Sequence, residues 1–244
     1  MADKIVFDIE TKNSFADVGG EKNVKKLEVS VVGAYSYEQN QYFIFDENEF
    51  SQINDLFKKA RLLIGFSSKH FDVPVLEKYL PFNLSAIPHF DILEEIEKKL
   101  GRRVGLNILA QANVGSGKNG SGLEAIDLYR KGEMEKLKNY CLQDVKLTKE
   151  IFDLIKVQKY LWIPQKNVPQ MIKLEIIFDE GAFAQNRLIF VLVLFFCLSI
   201  LLFSACIHRE KLNRLVAYQG VLIVSSQSRL ILFEDFGRKF LITG

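Results

Sequence analysis

The sequence predicts an α/β domain with a mixed sheet, followed by a single C-terminal transmembrane helix. Three observations predict this class. The first part of the chain holds short β-branched and aromatic runs, the part after Pro88 shows helical periodicity, and residues 188–207 carry no charge. Strands followed by helices in this order are typical of a sheet covered by helices. We expect a domain at residues 1–175, a linker at 176–187, a membrane helix at 188–207 and a small tail at 208–244.

Four apolar runs predict the strands. They read KIVFDI at residues 4–9, LEVSVVGAYSY at 27–37, YFIFD at 42–46 and LLIGF at 62–66. Polar turn residues bound these runs, and EQNQ between the second and the third predicts a hairpin. The tail also contains apolar stretches, VLIV and LILF, that could form strands, and we assign them no chemistry.

Helical spacing of apolar residues predicts helices at residues 50–60, 75–79, 92–100 and 133–155, with a further helix beginning near Leu106. The longest of these is the most regular, because apolar and weakly polar side chains recur every three or four positions from Leu137 to Ile151. We expect this helix to bury one face against the sheet.

Charge is distributed unevenly along the chain. Residues 1–180 hold 25 Lys and Arg against 27 Asp and Glu, and residues 181–244 hold 7 against 3. The net charge of the front part is therefore not that of a basic nucleic-acid-binding protein. A polyanion would have to be bound through local features and metal ions.

The cysteines and the N-terminal residues bear on the cellular compartment of the front domain. Cys141, Cys197 and Cys206 form no CxxC pair, which fits a reducing environment and offers no disulfide framework. The N-terminal residues MADKIVFDIE lack the pattern of a secretory signal. We expect the front domain in the cytoplasm.

The segment LIFVLVLFFCLSILLFSACI at residues 188–207 is uncharged over its whole length. About 20 apolar residues span a bilayer core, so we expect this helix to anchor the chain in a membrane. A buried core helix is the alternative. The charges that flank the segment favour neither membrane orientation clearly. A further alternative is that the tail after about residue 180 is a fusion or frameshift product.

Two acids end the first predicted strand. Asp8 and Glu10 lie two positions apart, so both carboxylates project from one face. Adjacent carboxylates repel each other unless a cation lies between them, and hard oxygen ligands suit Mg²⁺ or Mn²⁺. The pair alone is weak evidence, because many strands end in acids.

Two further places carry candidate residues. Tyr140 and Asp144 are four positions apart on the long helix, on the face predicted to be buried, and a buried acid needs a partner or a metal. Asp72 follows the predicted strand at residues 62–66, where it could equally cap the next helix. Core packing is the ordinary role of a tyrosine such as Tyr140.

Taken together, FDIE at residues 7–10, GFxxxxFDxPxL at 65–76 and YCLQDVxL at 140–147 resemble the three motifs of the DEDD 3′–5′ exonucleases, which have the ribonuclease H-like fold. The spacing is most similar to that of the proofreading domain of B-family DNA polymerases and of the stand-alone YprB-like exonucleases. The resemblance covers residues 3–155.

The resemblance implies a two-metal-ion site. Asp8 would bridge both Mg²⁺ or Mn²⁺ ions, Glu10 and Asp144 would complete the site of the ion that activates water, and Asp72 would hold the other. Tyr140 would orient the attacking water, which marks the tyrosine subclass (DEDDy). The second ion would stabilise the leaving 3′ oxygen.

Two substrate contacts are predicted nearby. Ser67 stands where relatives usually carry an Asn that helps to hold the terminal nucleotide. Lys118 lies in the loop GSGKNGSG at residues 115–122, which lacks the first glycine of a P-loop, so Lys118 is either a phosphate contact or part of a flexible linker.

We therefore expect an enzyme that hydrolyses single-stranded nucleic acid, DNA or RNA, from its 3′ end. A catalytically inactive nucleic-acid-binding module and a nuclease acting on structured RNA are the alternatives.

Overall fold

The computed structural model describes residues 3–117, 122–165, 168–181, 230–235 and 238–243. The chain divides into two compact units, residues 1–179 and 180–244. Lys118 and the predicted membrane helix at 188–207 lie outside the described residues. Among the residues that are described, no helix has the combination of length and apolar character that a bilayer crossing requires.

A five-stranded mixed sheet forms the centre of the first unit, in the order β3-β2-β1-β4-β5. Strands β2 and β3 run antiparallel to their neighbours, whereas β1, β4 and β5 run parallel to one another. The bounds are β1 Asp3–Thr11, β2 Val29–Ser36, β3 Gln41–Asp46, β4 Ala60–Gly65 and β5 His89–Asp91. The mixed sheet predicted from the sequence is confirmed.

One face of the sheet packs against the helices α1 (Phe50–Lys58) and α2 (Asp72–Leu76). From the strands this core takes alternate residues of β1, including Phe7 and Ile9, and from α1 it takes Phe57 and its neighbours. The rings of Phe7 and Phe57 meet edge to face at 5.3 Å between centroids. Because side chains alternate along a strand, Asp8 and Glu10 are directed to the other face.

That other face is crossed by the long helix α6 (Met134–Gln158), which packs on β1, β2 and β4. Gly33 on β2 permits this close approach. A Cβ atom at Gly33 would lie 2.9 Å from both Cys141 Sγ and Val145 Cγ2, so any larger residue would push α6 away from the sheet. The sequence therefore sets the height of α6 above the strand that carries the two acids.

Three shorter helices and a hairpin complete the unit. The helices are α3 (Ile92–Leu100), α4 (Leu106–Val114) and α5 (Gly122–Arg130). Strands β6 (Tyr160–Gln165) and β7 (Val168–Glu175) pair antiparallel, and α4 packs against β6. The sequence did not predict β5, α5 or this hairpin.

The second unit contains an antiparallel strand pair, β8 (Leu230–Asp235) and β9 (Arg238–Thr243). Both strands lie within the predicted tail at residues 208–244.

Candidate active site

One cleft of about 1090 Å³ brings together residues from three separate parts of the chain. All five predicted catalytic residues and Ser67 line it: Asp8, Glu10, Asp72, Tyr140, Asp144 and Ser67. Asp8 and Glu10 come from β1, Asp72 from α2, and Tyr140 and Asp144 from α6. Among the predicted site residues, only Lys118 cannot be located, since it lies outside the described part of the chain.

Asp8 and Glu10 reach the cleft because β1 directs both toward α6. Asp8 pairs with Gly33 and Glu10 with Val31 on the antiparallel neighbour β2. The register then shifts between Glu10 and Thr11, where the strand ends. Their carboxylate oxygens lie within 4.8 Å of each other and of Cys141 Sγ. This spacing permits one cation to contact both acids.

Asp72 is buried in the first turn of α2, with 2% of its surface exposed. It is the first residue of α2, and Phe71 occupies the N-cap position. Burial raises the pKa of Asp72 well above its usual range, the negative charge of Asp91 raises it further, and Asp144 adds to the effect. The backbone N–H of Ile9, between the two acids of β1, opposes this rise by hydrogen bonding to the carboxylate.

Tyr140 and Asp144 face the sheet from one side of α6. Asp144 is buried and Tyr140 is half-buried. Burial raises the pKa of the Tyr140 phenol, and the charges of Glu10 and Asp144 raise it further. The phenol therefore keeps its proton at neutral pH and can donate a hydrogen bond into the cleft.

The loop at residues 66–71 is held in place by Asp91. Asp91 Oδ1 accepts from Ser67 N at 2.9 Å, and Oδ2 accepts from Lys69 N at 3.0 Å. The same carboxylate caps α3 by accepting from Leu93 N and Glu94 N. One buried acid thus fixes the loop that precedes Asp72 and the start of the next helix. Asp91 was not predicted from the sequence.

Ser67 has a left-handed backbone conformation, with φ at 65°. This conformation is uncommon for residues other than Gly and is best tolerated by Asn and Asp. Its hydroxyl accepts a 2.7 Å hydrogen bond from Arg103 Nη2, and Arg103 also lines the cleft. Arg103 is exposed, so it can reach both Ser67 and solvent.

Comparison with known families assigns the fold. A family model described as "RNase_H superfamily" matches residues 5–156, more than half of the chain. The chain belongs to the RNase H superfamily. The superfamily expected from the three motifs is confirmed, and the chain therefore has a nuclease fold.

One solved structure similar to this RNase H superfamily chain is the family B DNA polymerase from the hyperthermophilic archaeon Pyrobaculum calidifontis. The two share 17% identity with a TM-score of 0.49. The match covers 64% of this chain and 24% of the polymerase, so the chain spans about a quarter of that protein's length. No curated protein matches the chain significantly.

The chemistry of this RNase H superfamily cleft fits divalent cations. Six acidic residues line it, the four predicted ones together with Glu21 and Glu97. Asp72 is buried close enough to Asp91 and Asp144 for like charges to oppose its ionisation. A cation among such groups removes the repulsion, and carboxylate oxygen is the ligand that Mg²⁺ and Mn²⁺ prefer.

Cys141 is the one sulfur beside these acids among the described residues. Its Sγ lies 3.6 Å from Asp8 O and 3.8 Å from Asp8 Oδ2. Burial raises the pKa of the thiol well above its usual range, and the charges of Asp8 and Glu10 add to this effect. Cys141 Sγ also packs against Gly33 of β2.

Proposed function

We propose that the chain is a metal-dependent 3′–5′ exonuclease of the tyrosine subclass of DEDD enzymes, acting on single-stranded nucleic acid. The observation that carries this proposal is the convergence of Asp8, Glu10, Asp72, Tyr140 and Asp144 in one cleft from three distant segments. The 3′–5′ direction rests on the order and spacing of the three sequence motifs.

In this proposal the four acids hold the metals. Asp8 and Glu10 present their carboxylates side by side, with Asp72 and Asp144 completing the cluster from α2 and α6. Two bound Mg²⁺ or Mn²⁺ ions would supply an activated hydroxide and charge stabilisation for the leaving oxygen.

Tyr140 has a separate role. As a protonated phenol beside Glu10 and Asp144, it can orient the attacking water by a hydrogen bond. The water oxygen attacks phosphorus, the bond from phosphorus to the 3′ oxygen breaks, and that oxygen takes a proton. The products are a nucleoside 5′-monophosphate and a strand one nucleotide shorter with a free 3′ hydroxyl.

Product identification tests this proposal. The purified chain is incubated with a single-stranded oligonucleotide and Mg²⁺ or Mn²⁺, and the products are separated by chromatography. We expect nucleoside 5′-monophosphates from the native protein and none from Asp8→Ala. Asp55→Ala, which changes an exposed acid on α1, is the matched control and should behave as the native protein does. Nucleoside 3′-monophosphates would contradict the proposal.

The inactive binding module predicts a different result in the same experiment. It would bind the oligonucleotide but release no mononucleotides, whether Mg²⁺ or Mn²⁺ is present. A nuclease for structured RNA would leave the single strand intact and cleave a folded RNA, again in a manner that Asp8→Ala abolishes.

Membrane attachment is a separate proposal that rests on the sequence alone. The uncharged segment 188–207 would anchor the chain, with the nuclease domain in the cytoplasm. A carbonate wash of membranes tests it, and recovery of the native protein in the soluble fraction would contradict it.

A further inference from the structure

We propose that the outward face of the β6–β7 hairpin is a stacking platform for the single strand that enters the cleft. This inference rests on the proposed nuclease function. The stacking platform is defined here as Tyr160, Trp162 and Pro164 of β6 with their cross-strand partners Glu175, Lys173 and Met171 of β7.

The hairpin separates its two faces clearly. Leu161 and Ile163 are fully buried, whereas Trp162 between them is 38% exposed. On the partner strand Met171 is 48% exposed. A large aromatic side chain held in solvent on a paired strand is available for contact with a ligand.

A lysine ammonium group lies against the aromatic rings on this face. Tyr160 and Trp162 meet edge to face, with 5.7 Å between ring centroids and an interplanar angle of 82°. Lys173 Nζ lies 4.2 Å from the centroid of Tyr160. Aromatic rings beside a positive charge match the bases and phosphates of a single strand.

Two more cations border the stacking platform. Lys99 Nζ donates to Glu175 O at 2.7 Å, and Arg102 Nη2 donates to Pro164 O at 2.8 Å. Within the described part of the chain, neither has a carboxylate at ion-pair distance. Glu175, the cross-strand partner of Tyr160, is the one acid of the platform itself. The net charge of this surface is therefore positive, in contrast to the acidic cleft.

A groove connects the stacking platform with the cleft. It measures about 550 Å³ and is lined by Ile108, Pro164 and Met171, among others. Asn107 and Ile108 line both this groove and the cleft. A strand whose 3′ end lies among the acids could thus continue past α4 to the hairpin without leaving the surface.

This continuity and the positive charge favour a nucleic acid over a protein partner as the occupant. Stacking on aromatic side chains is tolerant of sequence, because every base has a π face. The stacking platform would therefore add affinity for longer strands without adding sequence specificity.

Trp162 allows a direct test, since it is the single tryptophan of the chain. Both measurements use the full chain in EDTA, which prevents hydrolysis. Binding of a fluorescein-labelled oligothymidylate is followed by its fluorescence anisotropy. The same oligothymidylate without the label is then used to follow the fluorescence of Trp162. We expect binding to quench Trp162, and Trp162→Ala to weaken binding roughly tenfold, the loss that about 1.4 kcal/mol of stacking produces. Trp162→Phe should recover most of the affinity. Tyr42→Ala, which removes a ring of 39% exposure on β3, should leave it unchanged.

Hydrolysis separates this inference from the nuclease proposal. The p-nitrophenyl ester of thymidine 5′-monophosphate fills only the cleft, so Trp162→Ala should hydrolyse it normally while losing activity on the oligonucleotide. Absence of hydrolysis by the native protein, with quenching intact, would defeat the nuclease proposal alone. Absence of binding, or binding that neither quenches Trp162 nor responds to its removal, would overturn the stacking platform and leave this face as a protein contact.

Discussion

Arg103 Nη2 donates a 2.7 Å hydrogen bond to Ser67 Oγ at the cleft. The two residues lie 36 positions apart, one before α2 and one after α3. Arg103 Nη1 also lies 3.8 Å from Glu97 Oε2. The guanidinium is thus held at the acidic cleft by one neutral and one acidic partner, in a position where a substrate phosphate could replace either contact.

Arg103→Ala should weaken substrate binding more than turnover. A charged hydrogen bond contributes about 1.5–3 kcal/mol, so we expect KM for a single strand to rise on the order of tenfold with kcat little changed. Steady-state kinetics checks this. Arg130→Ala removes an exposed arginine paired with Asp17 and should have no effect. A fall in kcat with unchanged KM would mean that Arg103 serves the chemical step instead.

Asp72→Asn should stabilise the metal-free protein and abolish its response to metal. The native carboxylate is buried near Asp91 and Asp144, and an amide removes that repulsion. Thermal unfolding with and without Mn²⁺ measures both effects. In the native protein a ligand at 100 times its Kd adds about 2.7 kcal/mol to the free energy of unfolding.

The two effects of Asp72→Asn should therefore have opposite signs. Asp55→Asn, on the exposed side of α1, should keep the native melting temperature and the native response to Mn²⁺. A variant that is less stable without metal, or that still gains stability from Mn²⁺, would show that Asp72 is not part of the metal site.

Gly33→Ala should damage stability and activity together. The added Cβ would lie 2.9 Å from Cys141 Sγ and from Val145 Cγ2, and such overpacking costs about 1–3 kcal/mol. Because α6 also carries Tyr140 and Asp144, its displacement should lower kcat as well. Denaturant unfolding and kinetics measure the two losses. Adding Cys141→Ala, which removes one of the two obstructing atoms, should restore part of both; no restoration would argue against a displacement of α6.

His89 should make the protein sensitive to acid. Burial lowers its pKa from 6.5 to about 3, and the charge of Lys69 contributes. As pH falls from 6.5 toward 3, the unfolded chain takes up a proton that the folded protein does not, so stability is lost across this window. His89→Gln can keep a hydrogen bond to Ser68 Oγ without titrating. Its unfolding free energy should depend less on pH than that of the native protein, and equal slopes would contradict the assignment.

The sequence predicted the strands and the long helix well because their signals are local. The run at residues 62–66 corresponds to β4 with a shift of one or two residues, and the helix predicted at 92–100 matches α3. Asp8, Glu10, Tyr140 and Asp144 could be placed on shared faces, since spacing along a strand or helix determines direction. Their meeting with Asp72 depended on the resemblance to a family.

What was missed depends on contacts distant in sequence. The hydrogen bond from Arg103 to Ser67 joins residues 36 positions apart, so no local pattern in the sequence predicts it. The hairpin was obscured by Pro164 and Pro169, because proline within a run weakens a strand prediction. Asp91 left a usable signal, since Asp followed three positions later by Glu94 is the pattern of a helix N-terminus.

The direction of digestion tests the central claim most directly. Single-stranded DNA and RNA, each labelled at the 5′ end, are incubated with the purified chain and Mg²⁺ or Mn²⁺ beside Asp8→Ala. We predict a ladder of labelled products that shortens one nucleotide at a time from the 3′ end and is absent in the variant. Immediate release of labelled mononucleotide, internal cuts without a ladder, or the same ladder from Asp8→Ala would contradict the assignment of this cleft as a 3′–5′ exonuclease site.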